Sequence, residues 1–186
     1  MNLKGKRVLV FCSSAESIPA VYRLCAERLG FLIAREGCEL VFGGTSAGLM
    51  KILAEAAVQG GARVKGIIPE KMHLKGQSFK GCSEVLVSRD LHERKSMMHA
   101  SSDIVICLPG GIGSLDEFAE AMALKQLCYH QKPLVLINVS GYFDLLLKFL
   151  EKMRSEGFAR EESLGYFTAV SGADEAFEFL GSHETL

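Results

Sequence analysis

The segment Pro109-Gly-Gly-Ile-Gly-Ser-Leu-Asp-Glu117 gathers glycines, a hydroxyl and two carboxylates within nine residues. Glycines let a backbone come close to a ligand. Where such a run opens a helix, the unpaired first-turn amides carry partial positive charge, which makes a seat for a phosphate. A second run, Gly43-Gly-Thr-Ser-Ala-Gly-Leu-Met50, has the same make-up. Ser114, Thr45 and Ser46 add hydroxyl donors to these runs. Neither is a G-x-x-x-x-G-K-[ST] loop, and neither has the G-x-G-x-x-G spacing of dinucleotide enzymes. The same glycines also suit plain tight turns, and for each run alone that reading stays open. Two such runs at one rim favour a small phosphorylated nucleotide.

Charged residues flank the Pro109 to Glu117 run. Glu117 follows Ser114 by three residues, which is also the spacing of a helix capping box, and Asp116 suits the positive end of a helix dipole. His92-Glu93-Arg94-Lys95 opens another helical stretch. Cations at a helix start carry a small electrostatic cost, which a bound anion or an acidic partner such as Glu117 would offset. A solvated charged turn is the other reading of this cluster. His92, His99 and His130 lack metal-ligand spacing and are expected at the surface or at caps, with no metal site.

These residues need elements to position them. Apolar runs at Arg7–Phe11, Glu39–Phe42, Arg63–Ile68, Glu84–Val87, Asp103–Leu108, Leu134–Ile137 and Phe167–Val170 read as strands. Helical patterns run over Ser17–Arg35, Ser46–Gln59, Leu91–Ala100, Ser114–His130, Tyr142–Ser155 and Ala173–Leu180. Glu70 to Gly81 is polar and aperiodic and reads as a loop. Continuous rather than alternating apolar strands imply a sheet covered on both faces. Alternation with helices then implies an α/β fold, doubly wound, with a mainly parallel sheet. In such a sheet, ligands bind beyond the carboxyl ends of the strands, where both glycine runs lie. No linker or repeat interrupts residues 1–186, so one domain is expected.

Composition narrows the function further. A net charge of −1 gives no electrostatic ground for nucleic-acid or membrane binding. No apolar run approaches a membrane span, and the N-terminal apolar core is too short for a signal peptide. The six cysteines are scattered without a C-x-x-C pair, as expected for free thiols in a cytoplasmic protein. Between Phe118 and Cys128 only Glu120, Lys125 and Gln126 are polar. A helix apolar almost all round must be covered on more than one face, so a homodimer is expected.

Lys95, Met98, Ala100 and Asp103 lead into Leu108-Pro-Gly-Gly-Ile-Gly-Ser-Leu-Asp-Glu117. This arrangement resembles the R-K…P-G-G-x-G-T-x-x-E signature of the LONELY GUY family, cytokinin riboside 5′-monophosphate phosphoribohydrolases that are often mislabelled lysine decarboxylases. The resemblance extends from about Val8 to Leu150 and includes Tyr22, Gly43-Gly44, Gly48-Leu-Met50, Gly66-Ile-Ile-Pro69 and Asn138 to Gly141. It implies a Rossmann-like fold, a dimer, and hydrolysis of an N-glycosidic bond in a nucleoside monophosphate. Carried over, Arg94 and Glu117 become the catalytic pair. Gly110, Gly111, Ile112, Gly113 and Ser114 become the phosphate loop, with Ser14, Gly44, Thr45 and Lys95 in the binding set. No cofactor is implied, whereas a decarboxylase would need pyridoxal phosphate on a lysine that nothing here marks.

The chain also departs from the family pattern. Ser13-Ser14-Ala15 stands for G-S-S, Thr45 for a glycine, Ser114 for threonine and Lys51 for the glycine after G-L-M. Gly76 falls where plant members have a substrate-binding glutamate, and Ala123 where they have a threonine. The catalytic pair and phosphate loop survive, while the base stays open between a cytokinin and adenine. A nonenzymatic carrier of a phosphorylated ligand is the alternative.

Overall fold

The computed structural model describes residues 2–182. Seven strands form one parallel sheet: β1 (Arg7–Phe11), β2 (Glu39–Phe42), β3 (Val64–Pro69), β4 (Glu84–Ser88), β5 (Ile104–Cys107), β6 (Leu134–Ile137) and β7 (Thr168–Val170). Their spatial order is β4-β3-β2-β1-β5-β6-β7. Chain direction across the sheet therefore reverses between β1 and β5, where Phe11 pairs with Cys107 at the carboxyl ends. An open sheet leaves a crevice at such a point, since the loops leaving the two strands diverge to opposite faces.

Helices α1 (Ala20–Arg35), α2 (Gly48–Gln59), α3 (Glu70–His73), α4 (Leu91–Ala100), α5 (Ile112–Gln126) and α6 (Asp144–Ser155) connect the strands, and α7 (Ala173–Ser182) follows β7. Successive strand residues point to opposite faces. Val8 and Val10 thus join a core with α1, α2 and α7, whereas Leu9 and Phe11 join one with Met98, Phe118 and Phe143. The sheet is covered on both sides, as the continuous apolar runs imply. No helix among the described residues is long and apolar enough to cross a membrane.

Several boundaries differ from the sequence reading for local reasons. Extended Pro19 delays α1 to Ala20. Thr45 bridges to Ser78, and the Ser46 amide donates to Gln77 O (2.9 Å), which holds α2 back to Gly48. The helix expected from Ser114 begins at Ile112, and it stops at Gln126 ahead of Cys128, whose φ is 62°. The segment read as a loop over 70–81 contains α3. It is pinned where the Phe79 amide donates to Gly44 O at 2.8 Å and the buried Phe79 ring meets Phe42 edge-on.

His92 is exposed as expected, whereas His99 and His130 are not. His99 is buried and stacked on His130, with centroids 5.9 Å apart, and neither His99 ring nitrogen has a hydrogen-bond partner. Burial pushes His99 below its usual range and His130 down to about 4, and nearby Lys132 adds to both shifts. The unfolded chain therefore binds protons on these rings first, so their contribution to stability is whole above about pH 6.5 and is lost as the pH falls toward 4. Urea midpoints followed from pH 7 to 5 should fall. In His130→Gln the fall should be shallower, and an unchanged slope would contradict the assignment.

Candidate active site

A cavity of about 410 Å3 opens at the crevice between β1 and β5. It is lined from the loop after β1 by Cys12, Ser13, Ser14 and Ala15, and from the start of α5 by Gly111, Ile112, Gly113, Ser114 and Glu117. Thr45, Met50, Met72 and Arg94 complete the wall. The two glycine runs do not play equal parts here. At α2 the first-turn amides are already used: those of Leu49 and Met50 donate to Ser13 O (2.9 and 3.3 Å), and that of Gly48 to Glu16 Oε1 (3.4 Å). The α2 start is thus filled by the protein's own loop and is not a free anion seat.

The α5 start is different. Gly111 is its extended N-cap without a side-chain cap, and the first backbone bond of the helix runs from the Leu115 amide to Gly111 O at 3.0 Å. The amides of Ile112, Gly113 and Ser114 are the donors a helix start leaves unpaired, and all three residues line the cavity. Ser114 lies inside the first turn, with its buried side chain against Gly110. A Cβ at 110 would overlap Ser114 Oγ, which is why glycine stands there. Because Ser114 is not the N-cap, the Ser-x-x-Glu spacing builds no capping box, and Glu117 is released for another partner.

That partner is Arg94. Both side chains are buried, with residue exposures of 9% for Arg94 and 4% for Glu117. Arg94 Nη1 donates to Glu117 Oε1 at 3.0 Å, Nε to Ile67 O at 3.0 Å, and Nη2 to Gly43 O at 3.2 Å. The planar fork thereby ties the ends of β2 and β3 to α5. Any side chain at Gly43 would collide with Nη2. Glu117 Oε2 receives no hydrogen bond from the described residues, so one oxygen of the pair remains open to chemistry. Burial pushes the Glu117 carboxyl above the ordinary glutamate range, and Arg94 pulls it only part of the way back. Cys12, beside them, is held as a neutral thiol by burial and by the charge of Glu117, so it is no nucleophile.

Of the residues singled out in the sequence, Ser14, Thr45, Arg94, Gly111, Ile112, Gly113, Ser114 and Glu117 come together around this cavity. Gly110 supports the loop from behind. Gly44 is buried, and its α-carbon faces the backbone of Gly66 and Ile67 rather than the cavity. Lys95 points elsewhere, to Asp116 (2.9 Å) and Glu120 (2.6 Å) on the flank of α5. Cys12, Met50 and Met72 were not among the predicted site residues. Met72 sits on α3, whose four residues are too few to show periodicity. Among the described residues no group of three or more His, Cys, Asp or Glu is arranged to hold a metal.

Comparison with known proteins places the chain in a family. The profile of the family described as possible lysine decarboxylase matches residues 50–180. A probable cytokinin riboside 5′-monophosphate phosphoribohydrolase of Oryza sativa subsp. japonica is 41% identical over 94% of this chain and 72% of its own length. A cytokinin riboside 5′-monophosphate phosphoribohydrolase of Arabidopsis thaliana is 37% identical over 97% and 86%. The chain belongs to the LONELY GUY phosphoribohydrolase family. A solved structure, the molybdenum cofactor binding protein of the phototrophic bacterium Rippkaea orientalis, superposes with a TM-score of 0.74 at 25% identity, covering 97% of this chain and 98% of that one.

The family's decarboxylase description would require pyridoxal phosphate bound through a lysine. Among the described residues no lysine lines the cavity of this LONELY GUY family member, and Lys95 is drawn away by two carboxylates. The residues present do not fit that cofactor.

Breaking a buried ion pair leaves the remaining charge unpaired, so Arg94→Ala should lower folding stability by about 3–5 kcal/mol. Arg94→Lys should recover only part of this, since one ammonium cannot span three acceptors in the geometry of the fork. Urea unfolding measures both; a loss below about 1 kcal/mol for Arg94→Ala, the range of an exposed pair, would contradict the bridging role.

Proposed function

We propose that this protein hydrolyses the N-glycosidic bond of a cytokinin riboside 5′-monophosphate, releasing the free base and ribose 5-phosphate. The observation that carries the proposal is the juxtaposition, in one cavity, of a free helix start and a buried carboxylate one turn further along the same helix. The 5′-phosphate sits on the amides of Gly111 to Ser114, assisted by the hydroxyls of Ser14, Thr45 and Ser114. Its binding energy positions the ribose at Glu117. Departure of the base leaves an oxocarbenium-like ribosyl group. Glu117, as a carboxylate, stabilises that cation and takes a proton from the attacking water, whose hydroxyl goes to C1′; the leaving base nitrogen takes up a proton. Arg94 acts through Glu117 as a positioning residue. Met50 and Met72 offer sulfur contacts to a flat aromatic base.

The relatives named as phosphoribohydrolases support this reading across nearly the whole chain. The likeness to a molybdenum cofactor binding protein favours, as second reading, a carrier of a phosphorylated ligand without turnover. We further propose a homodimer that buries the outer face of α5 and α6. There Leu115, Leu127, Leu145 and Phe149 are exposed, around a cleft lined by Met122, Ala123, Leu150, Met153 and Leu164.

Isopentenyladenosine monophosphate and AMP should each be tested with the wild type and with Glu117→Gln. The wild type should release free base, and the variant should be at least about 100-fold slower while still binding ribose 5-phosphate. The acid limb of kcat/KM should lie above the ordinary glutamate value, because the carboxyl must ionise against its burial. Nucleotide binding without turnover, indifferent to Glu117→Gln, would establish the carrier instead. For the dimer, Phe149→Glu should shift sedimentation from dimer to monomer; a wild type that sediments as a monomer would contradict it.

A further inference from the structure

The loop that opens α5 is held from outside the cavity by a residue no motif highlights. Tyr142 donates its hydroxyl to the carbonyl of Gly110 at 2.7 Å. In a trans peptide the C=O and the next N–H point in opposite directions. A Gly110 carbonyl drawn toward Tyr142 therefore turns the Gly111 amide away from it, and Gly111 lines the cavity. Without that hydroxyl the 110–111 peptide is free to rotate, because glycine on both sides offers little steric resistance.

The turn that delivers Tyr142 is unusually well determined. It follows β6, where Asn138 Oδ1 accepts the Phe143 amide at 2.6 Å and Asn138 Nδ2 donates to Asp144 Oδ1 at 2.8 Å. Within it Ser140 takes a left-handed conformation (φ 54°), followed by Gly141 (φ 69°). A non-glycine residue in that region is uncommon and persists only where its surroundings enforce it. The Tyr142 ring is then fixed edge-on between Tyr22 of α1 (5.5 Å) and Phe143 (4.9 Å). A side chain that is 44% exposed is thus clamped so that its hydroxyl meets one particular carbonyl.

We infer that Tyr142 is a positioning residue for the 5′-phosphate: it sets the 110–111 peptide so that the Gly111 amide joins those of Ile112 to Ser114 as a phosphate donor. The inference rests on the phosphate seat proposed above and adds a selectivity element to it. Tyr142 touches no reacting atom, so its effect falls on recognition of the phosphate and not on the ribose or base.

The test is calorimetric titration of ribose 5-phosphate into the wild type and Tyr142→Phe, with kcat/KM for a nucleoside monophosphate and for the matching nucleoside measured alongside. Tyr142→Phe should bind ribose 5-phosphate about tenfold more weakly, equivalent to about 1.4 kcal/mol. The monophosphate should lose its advantage over the nucleoside by a similar factor, with the melting temperature unchanged. Equal affinity in the two proteins, or an equal loss for monophosphate and nucleoside, would overturn the inference. If the wild type hydrolyses nothing and the binding difference remains, the role of Tyr142 stands and the hydrolase reading falls. A wild type that does not bind ribose 5-phosphate would remove both.

Discussion

The site depends on one guanidinium. Arg94 joins the carboxyl ends of two strands to the first turns of α5, accepting no freedom in return: Nε is committed to Ile67 O, Nη2 to Gly43 O and Nη1 to Glu117. An unpaired carboxylate at that depth would be costly, and an arginine without its carbonyls would be equally so. The pair is tolerable because the backbone acceptors and the carboxylate are satisfied together. Gly43 exists at its position to let the fork approach. The outcome is a carboxylate with one oxygen anchored and the other left toward the cavity, on the helix whose start offers the free amides.

This arrangement also separates two features that look alike in sequence. Both glycine runs end strands at the same rim and open helices. At α2 the helix start is consumed internally by Ser13 and Glu16, which fixes the loop after β1 as a wall of the cavity. At α5 the start is open. The field of one helix end is thereby left open at the cavity, while the other end holds the wall in shape.

Much of the fold was legible from residue pattern, because strands buried on both faces are continuously apolar and the intervening helices are long. Element ends were less so. Cys128 in a left-handed conformation and the Thr45–Ser78 bridge are tertiary effects with no local signature. At the site, the glycine, hydroxyl and carboxylate residues of the α5 run were visible as a unit. Spacing alone left Glu117 open to a capping role, which a helix beginning at Ile112 removes. Lys95 adjoins Arg94 in sequence, yet successive helix positions lie about 100° apart, and it turns to Asp116 and Glu120 instead of the cavity. Met72 and Tyr142 arrive from distant segments by way of the topology, so no spacing rule could have found them.

A crystal structure of Glu117→Gln with an intact nucleoside monophosphate tests most directly whether the phosphate and the scissile bond occupy successive turns of one helix. The phosphate should accept hydrogen bonds from the amides between Gly111 and Ser114, with C1′ of the ribose beside residue 117. A phosphate bound at the α2 start, or a ribose turned away from residue 117, would contradict the account.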